Sequence, residues 1–271
     1  MADVRPSAAA SWLHLIRGQA RSQASYRASF VVDLISNVWA TVFDVLTVLV
    51  LFGITRELGG FSLSESMLIV GLSACSFATA DLLFGNIDRL QHYVRTGLLD
   101  TVLARPLAAL PQMLAMELPL RRMSRAVFGA AVLAVALVTA DLDWTPARVL
   151  LVVLAPLAGT VFFGSVFVAS ACLAFWWTET TEIGNAVTYG GRDFTTYPIT
   201  IYNGWFRRAF AYGLGFASVA YYPALVLLGR TDPLGAPPWA GWASPAVAAI
   251  AATIAATCWR QGLRHYRSTG S

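Results

Sequence analysis

The chain has 271 residues, of which 57% are hydrophobic and 13% are charged. A soluble domain carries about 25% charged residues, so this composition excludes an ordinary soluble fold and predicts several membrane-spanning helices. The net charge of +4 is explained by arginines beside such helices and does not indicate a nucleic-acid partner.

The first predicted element, over residues 8–26, is an amphipathic helix. Trp12 and its apolar neighbours lie beside Arg17 and Arg21 in this stretch, so the helix is expected to lie in the membrane interface with Trp12 as its anchor. A frayed tail is the alternative. The stretch has no apolar core of signal-peptide length, and the N-terminus is expected to be uncleaved.

A spanning helix needs about 20 mostly apolar residues. The clearest candidates in this chain are residues 30–54, 67–85, 126–140, 149–176 and 243–259. Residues 178–238 are harder to assign, because a polar stretch is followed by an apolar one that glycines and Pro223 interrupt. Either residues 182–201 span and the apolar stretch re-enters from outside, or the apolar stretch spans and the polar one is a cytoplasmic loop. Both arrangements require a protein-lined region at membrane depth.

The arginines decide the number of spans. With a cytoplasmic N-terminus and six spans, 14 of the 19 basic residues lie inside, as the positive-inside rule requires. Five or seven spans would move Arg260, Arg264 and Arg267 outside. The sequence therefore predicts six spans and two cytoplasmic termini.

The loop after the second predicted span contains two short helical patterns. Ile87, Leu90 and Val94 recur at helical spacing, Gly97 then breaks the pattern, and a second apolar stripe ends at Pro106. That second stripe consists of Leu98, Leu99, Val102 and Leu103. From the residues alone, this segment is either a helix held at the surface by lipid headgroups or a docking element for a cytoplasmic partner.

Several kinds of enzyme chemistry are unsupported by the sequence. All basic residues are arginine, so a P-loop lysine and lysine-based covalent chemistry are excluded. His14, His92 and His265 are far apart, and the three cysteines lack the spacing of metal ligands. The chain is therefore not expected to be an enzyme.

The stretch "VRTGLLDTVLARPL" resembles the signature that follows the second span of ABC-2 type permeases, the membrane subunits of ABC exporters. The matching residues are Val94, Arg95, Gly97, Leu99, Asp100, Leu103, Arg105, Pro106 and Leu107. Leu98 stands where many members have Glu. A later stretch, "TTYPITIYNGWFRRAFAYGLGFASVAYYPALVLLG", is similar to the family segment after the fifth span. Its matching residues are Tyr197, Pro198, Tyr202, Trp205, Tyr221, Tyr222, Pro223 and Ala224.

The resemblance implies an all-α membrane protein in which residues 1–271 form one ABC-2 transmembrane domain. Its parts would be the interfacial helix 8–26, six spans, a cytoplasmic coupling segment at 86–106 and an extracellular re-entrant hairpin at 197–230. The hairpin favours the arrangement in which 182–201 spans. The hairpin residues singled out are Tyr197, Pro198, Trp205, Tyr222 and Pro223.

The resemblance also implies that a separate ABC ATPase docks on the coupling segment. The chain itself would hold no cofactor, and ATP and Mg would bind to the partner. The expected docking residues are Arg89, Arg95, Gly97, Leu98, Leu99, Asp100, Arg105 and Pro106. The arginines would meet acidic rims on the ATPase, and Leu98 and Leu99 would fill an apolar groove.

Polar residues inside spans are functional candidates by default, and spans two and five line the path in related permeases. The candidates for a translocation path are Asp44, Asp81, Asn185, Tyr189, Arg192 and Asp193. Alternatives are a helix-capping role for Asp81 and an internal ion pair for Arg192, with Asp193 or with a neighbouring aspartate.

The expected function is ATP-driven export of an amphipathic or hydrophobic substrate, such as a drug, a lipid or an antibiotic-like molecule, by alternating access. The partners would be ABC ATPase subunits, a second permease copy or a paralogous permease, and the lipid bilayer of a bacterial cell (inner) membrane. Two alternatives remain open. One is a non-transporting scaffold or sensor subunit, and the other is an ion-coupled secondary carrier, for which Asp44 is the main candidate.

Overall fold

The computed structural model describes residues 57–116, 120–177 and 180–267, together with 49–55 and seven positions between 35 and 47. The helix predicted over residues 8–26, nearly half of the first predicted span and Asp44 lie outside the described residues. The side chains of residues 120, 121 and 181 also lie outside them.

The described part of the chain is helical. Residues 49–54 are helical, and ten further α-helices follow: α1 Leu63–Phe84, α2 Leu90–Arg95, α3 Leu98–Leu103, α4 Ala109–Ala115, α5 Leu120–Thr139, α6 Pro146–Ala171, α7 Thr181–Thr196, α8 Gly204–Arg207, α9 Tyr221–Leu228 and α10 Ser244–His265. Among these residues the only β-type pairing is an isolated bridge between Leu58 and Phe61. The predicted all-α class is confirmed.

Three helical runs among the described residues are long and apolar enough to cross a membrane. They are Leu63–Arg95, Arg122–Thr139 and Pro146–Phe175, and they overlap the second, third and fourth predicted spans. Two consecutive helical runs, Gly204–Gly213 and Phe216–Leu228, are bent by 64° relative to each other, and together they have the length and composition of a fourth span. α10 has 22 residues but is not among these runs. Six spans therefore remain a prediction.

Local sequence signals set the starts of α1 and α6. The Ser62 N–H donates to Glu65 Oε2 (2.8 Å), and the Glu65 N–H donates to Ser62 Oγ (3.4 Å), which forms a capping box for α1. Thr145 caps α6, and Pro146 occupies its first turn, where its missing N–H removes no helical hydrogen bond. Both helices therefore begin where the side-chain chemistry favours a helix start.

α1 is the central helix of the bundle and packs against α5, α6 and α7. Glycines bring α1 and α5 close together. A Cβ on Gly71 would stand 2.8 Å from Leu133 Cα, and one on Gly129 would stand 2.8 Å from the Ala74 carbonyl oxygen. Small residues at such crossings let helix backbones approach closely in a membrane.

The bundle has two ends with different contents. One end holds residues 85–106, 122–125, 172–177 and 260–267 and is called the arginine end. The opposite end holds the starts of α1 and α6 and the end of α9. There, Arg230 donates to Glu65 (2.6 Å), and Arg148 Nε donates to the Val226 carbonyl (3.1 Å).

α7 runs from the arginine end to the opposite end. Its first turns share a small cleft with Asp88 and Gln91, at the arginine end. Just beyond its last residue, the Thr200 hydroxyl donates to the Gly59 carbonyl (2.9 Å), in the loop before α1. With 16 residues, the helix is about 24 Å long.

Residues 200–230 leave this loop and return to it. Thr200 contacts Gly59 at the start of the segment, and Arg230 donates to the Gly60 carbonyl (2.9 Å) at its end. Between these points the chain reaches the middle of the bundle, where the Phe216 ring lies 5.1 Å from the Phe162 ring. The segment is therefore a hairpin whose two ends lie at the same end of the bundle.

Candidate functional site

The segment between α1 and α4 consists of a 3-10 turn followed by α2 and α3. α2 ends as the Thr96 N–H donates to the His92 carbonyl (3.0 Å), and α3 begins after Gly97. Gly97 has φ +71°, a left-handed conformation that side chains other than glycine rarely adopt. The predicted break at Gly97 is confirmed.

The apolar side chains of this segment divide between the interior and the surface. Leu90, Leu99 and Val102 are at most 1% exposed, whereas Leu98 and Leu103 are 42% and 43% exposed. The expectation that Leu98 and Leu99 both fill an apolar groove of a partner is wrong for Leu99, because α3 turns Leu99 and Val102, three residues apart, into the core. The surface apolar side chains are instead Leu98, Leu103 and Leu107.

Charged and turn residues flank those leucines along the chain. Arg89, Arg95, Arg105 and Pro106 are exposed, while Asp100 is half-buried. The sequence-predicted docking residues thus lie together at the arginine end, and Leu99 alone among them is buried. The name docking surface is used below for Arg89, Arg95, Leu98, Leu103, Arg105 and Leu107.

The different environments of Leu98 and Leu99 predict different consequences of mutation. Leu99→Ala should lower the unfolding free energy by about 2–5 kcal/mol, because it leaves a cavity in the core. Leu98→Ala should leave the melting temperature near wild type, because the Leu98 side chain lies at the surface. It should weaken binding of the expected ATPase partner, because an exposed apolar contact is lost. Thermal unfolding in detergent and copurification with the partner measure the two effects. Equal melting temperatures for the two variants would contradict the assignment.

A buried ion-pair cluster anchors the start of the segment. Asp81 is fully buried, and its two carboxylate oxygens each lie 3.1 Å from an arginine, Arg122 or Arg125. Arg122 also donates to Asn86 Oδ1 (2.8 Å) and to the Gly85 carbonyl (3.0 Å). The cluster therefore joins the end of α1, the start of α5 and the first residues of the segment.

This cluster revises the interpretation of Asp81 as a path residue. Its carboxylate is enclosed by α1 and α5, so it lines no accessible path in this structure. It does not cap the next helix either, since the 3-10 turn after α1 has no side-chain cap. The sequence contains one indication of these ion-pair partners of Asp81: Arg122 and Arg125 are three residues apart and therefore share one face of α5.

The polar stripe of α7 faces other helices. The Tyr189 ring lies 5.6 Å from the Phe77 ring, and the Arg192 guanidinium lies over Phe77 at 5.6 Å. Further along, the Thr195 and Ser73 hydroxyls are 2.6 Å apart. Three members of the predicted path, Asn185, Tyr189 and Arg192, share this side of α7, whereas Asp193 is exposed. In this structure the stripe mainly binds α7 to α1.

Asn185 lies in the cleft at the arginine end. The cleft has a volume of about 20 Å³ and is also lined by Asp88, Gln91, Ser170 and Thr180. A space of this size accommodates one water molecule. Within the described ranges, no three His, Cys, Asp or Glu side chains are grouped so as to hold a metal ion.

The hairpin residues predicted from the sequence lie on both of its arms. Pro198 precedes the 3-10 turn Ile199–Ile201, Trp205 is 75% exposed, and Tyr222 and Pro223 lie in the first turn of α9. A contact that the sequence reasoning missed fixes the second arm, because the Tyr221 hydroxyl donates to Asp232 Oδ1 (2.7 Å).

The helical architecture and the apolar, span-length helices define an integral membrane protein. Residues 38–270 match the family described as "ABC-2 family transporter protein", and the chain belongs to that family. It is a membrane permease of an ABC transporter, a transport subunit of a kind that associates with ABC ATPases. No curated protein and no solved structure matches the chain.

Proposed function

We propose that this permease is half of an ATP-driven exporter and that a separate ATPase binds its docking surface. The observation that carries the proposal is the exposure of Leu98, Leu103 and Leu107 among Arg89, Arg95 and Arg105. Exposed apolar side chains bordered by charges are typical of protein interaction sites. The fitting partner is a nucleotide-binding subunit with an apolar groove and acidic rims.

The anchoring of the segment supports a mechanical role. Because Arg122 bonds both Asn86 and the Asp81 carboxylate, a displacement of α2 and α3 would be passed to α1 and α5. ATP and Mg would bind only in the partner, and two permease chains, identical or paralogous, would form the path. The movement would alternate access for an amphipathic or hydrophobic substrate and release it outside.

The proposed topology has six spans, with both termini and the arginine end on the cytoplasmic side of a bacterial inner membrane. The arginine distribution supports this orientation. The course of α7 and the return of residues 200–230 to the Gly59–Gly60 loop support a spanning α7 followed by an extracellular hairpin. They favour this arrangement over a spanning apolar stretch.

Cysteine labelling tests the hairpin. Gly204 is exposed and has open space around its Cβ position, so Gly204→Cys is sterically compatible in a background in which Cys75, Cys172 and Cys258 are replaced. A membrane-impermeant maleimide should label it from outside intact cells. Thr101→Cys, exposed on α3, is the control and should react only after the membrane is opened. Labelling of Gly204→Cys only after the membrane is opened would place residue 204 on the cytoplasmic side and contradict this topology.

Reconstitution tests the transport function. The permease and an ABC ATPase encoded in the same genome are placed in proteoliposomes, and movement of a fluorescent amphipath is followed with ATP, with a non-hydrolysable analogue, or with a proton gradient alone. The exporter requires hydrolysis. Movement driven by the gradient alone would identify a secondary carrier, and hydrolysis without movement of any amphipath tried would favour the scaffold or sensor alternative.

A further inference from the structure

Both arms of the hairpin meet one tight turn, Leu58–Phe61, which precedes α1 and is called the receiving turn below. Two backbone hydrogen bonds between its end residues close the turn (3.0 and 3.1 Å). From the first arm, the Thr200 hydroxyl donates to the Gly59 carbonyl (2.9 Å), and from the second arm Arg230 donates to the Gly60 carbonyl (2.9 Å). The base of the hairpin is therefore fixed to a point directly before α1.

Arg230 holds the receiving turn through three kinds of contact. Besides its bond to the Gly60 carbonyl, its guanidinium donates to Glu65 Oε2 (2.6 Å) and lies over the Phe61 ring, 4.8 Å from the centroid. Phe61 is fully buried and meets the Tyr221 ring of α9 edge-on at 5.8 Å. The planar, forked guanidinium suits this combination of two acceptors and a ring face, whereas a lysine ammonium lacks that geometry.

The contacts of Arg230 reach beyond the receiving turn. Glu65 Oε2 also accepts the Ser62 N–H (2.8 Å), so the carboxylate that binds Arg230 is part of the cap of α1. On the other side of the second arm, Arg148 in the first turn of α6 donates to the Val226 carbonyl of α9 (3.1 Å). The second arm is therefore tied to the starts of both α1 and α6.

The tip of the hairpin is seated between α6 and α7. Phe216 is 2% exposed, and its ring lies 5.1 Å from Phe162 of α6 and 6.3 Å from Phe194 of α7. A Cβ on Gly191 of α7 would stand 2.5 Å from the same ring, so the seat is closely fitted. Because the helix α9 connects this tip to Arg230, the hold on Arg230 limits how far the Phe216 ring can move.

We propose that Arg230 is a positioning residue for transport, which keeps Phe216 seated between α6 and α7 by holding the second arm on the receiving turn. The seated ring fills space beside the polar stripe of α7, and alternating access requires one side of a path to be closed while the other is open. Without Arg230 the ring would leave its seat more often, and ATP would be hydrolysed with less net transport. This inference rests on the proposed exporter function.

A cysteine at the tip reports the seating without any ATPase. Ser218 is 5% exposed and lies in the same 3-10 turn as Phe216. Ser218→Cys is a small change, and it is made in the cysteine-free background used for Gly204→Cys. A small membrane-impermeant thiol reagent is added to intact cells, and the rate of labelling is measured. Substrate transported per ATP hydrolysed is measured separately, with the native cysteines and the ATPase present.

The variants separate the hold on the receiving turn from the charge and from the helix cap. Arg230→Ala removes all three contacts, and Arg230→Lys keeps the charge without the fork and provides the test if the alanine variant does not insert. Glu65→Gln removes the ion pair but keeps an oxygen for the Ser62 N–H. Arg207→Ala is the matched control, because it removes an arginine of the hairpin that donates within its own arm, to the Tyr202 carbonyl (3.4 Å).

Arg230→Ala should speed labelling of Ser218→Cys from outside by about threefold or more, and transport per ATP should fall by a similar factor. Arg230→Lys and Glu65→Gln should lie between this variant and the wild type, with Arg207→Ala close to wild type. Arg230→Ala combined with Glu65→Gln should be no worse than Arg230→Ala alone, since both changes remove one interaction.

Two results would overturn the inference. One is wild-type labelling of Ser218→Cys in the Arg230 variants that insert, and the other is faster labelling accompanied by wild-type transport per ATP. Failure of the wild-type chain to transport any amphipath with ATP would instead refute the proposed function, and the labelling rates would still show whether Arg230 seats the hairpin.

Discussion

Replacing Asp81 by alanine is expected to produce the largest loss of stability of any single charge removal in the described part of the chain. Asp81 is 1% exposed at its side chain and faces Arg122 and Arg125, which are 13% and 36% exposed. Breaking a buried ion pair by removing one partner costs about 3–5 kcal/mol, because the remaining charge stays buried. Most of this cost comes from Arg122, since water already screens part of the Arg125 charge.

The expected result for Asp81→Ala is a much lower melting temperature in detergent and reduced yield of inserted protein. Asp143→Ala is the matched control, because its carboxylate is 99% exposed and lies 3.7 Å from Arg148; an exposed pair of this kind contributes little. Adding Arg122→Met to Asp81→Ala should restore part of the loss, since the two residues are coupled. Similar melting temperatures for Asp81→Ala and Asp143→Ala would show that the cluster is not a stabilising element.

Replacing Gly97 by proline is expected to abolish ATP-driven transport while the chain still inserts in the membrane. Proline fixes φ near −65°, whereas Gly97 has φ +71°, so α2 and α3 cannot keep their relative orientation. Proline also removes the N–H that Gly97 donates to the Val94 carbonyl (3.4 Å). Insertion should persist, because the change lies in a short segment at the end of the bundle.

Asparagine at the same position separates backbone geometry from the loss of glycine itself. Asparagine enters the left-handed region more readily than other side chains, so Gly97→Asn should retain most of the transport that Gly97→Pro loses. Size-exclusion profiles of the fluorescently tagged protein report insertion, and transport per ATP reports coupling. Equal transport by the wild type and Gly97→Pro would refute a coupling role for the α2–α3 junction.

The sequence predicted the elements whose signals are local. Long apolar runs marked the positions of α1, α5 and α6, and Gly97 marked the break between α2 and α3. The burial of Leu99 was not predictable from the pattern. The six-residue helix α3 carries apolar side chains on two faces, formed by Leu98, Leu99, Val102 and Leu103. Only the packing of α3 against the bundle decides which face is buried.

Contacts between distant parts of the chain could not be derived from sequence periodicity. Asp81 meets its arginines across the loop that holds α2, α3 and α4, and His265 at the end of α10 stacks on Trp176, which follows α6. Because polar groups in spans are costly, the sequence favours a path along the polar stripe of α7. In the structure, Phe77 and Ser73 of α1 offset part of this cost, because they contact Arg192 and Thr195 of α7. No pattern within α7 reveals these contacts.

Site-specific photo-crosslinking from position 98 tests the central claim most directly. A photoreactive amino acid replaces the exposed Leu98 in one sample and Val138, which is 86% exposed on α5 near the opposite end, in another. The account predicts that position 98 crosslinks to the copurified ATPase and that position 138 does not. An intact complex with no crosslink from position 98, or with crosslinks from position 138 alone, would contradict the assignment of residues 86–106 as the coupling segment on which the ATPase docks.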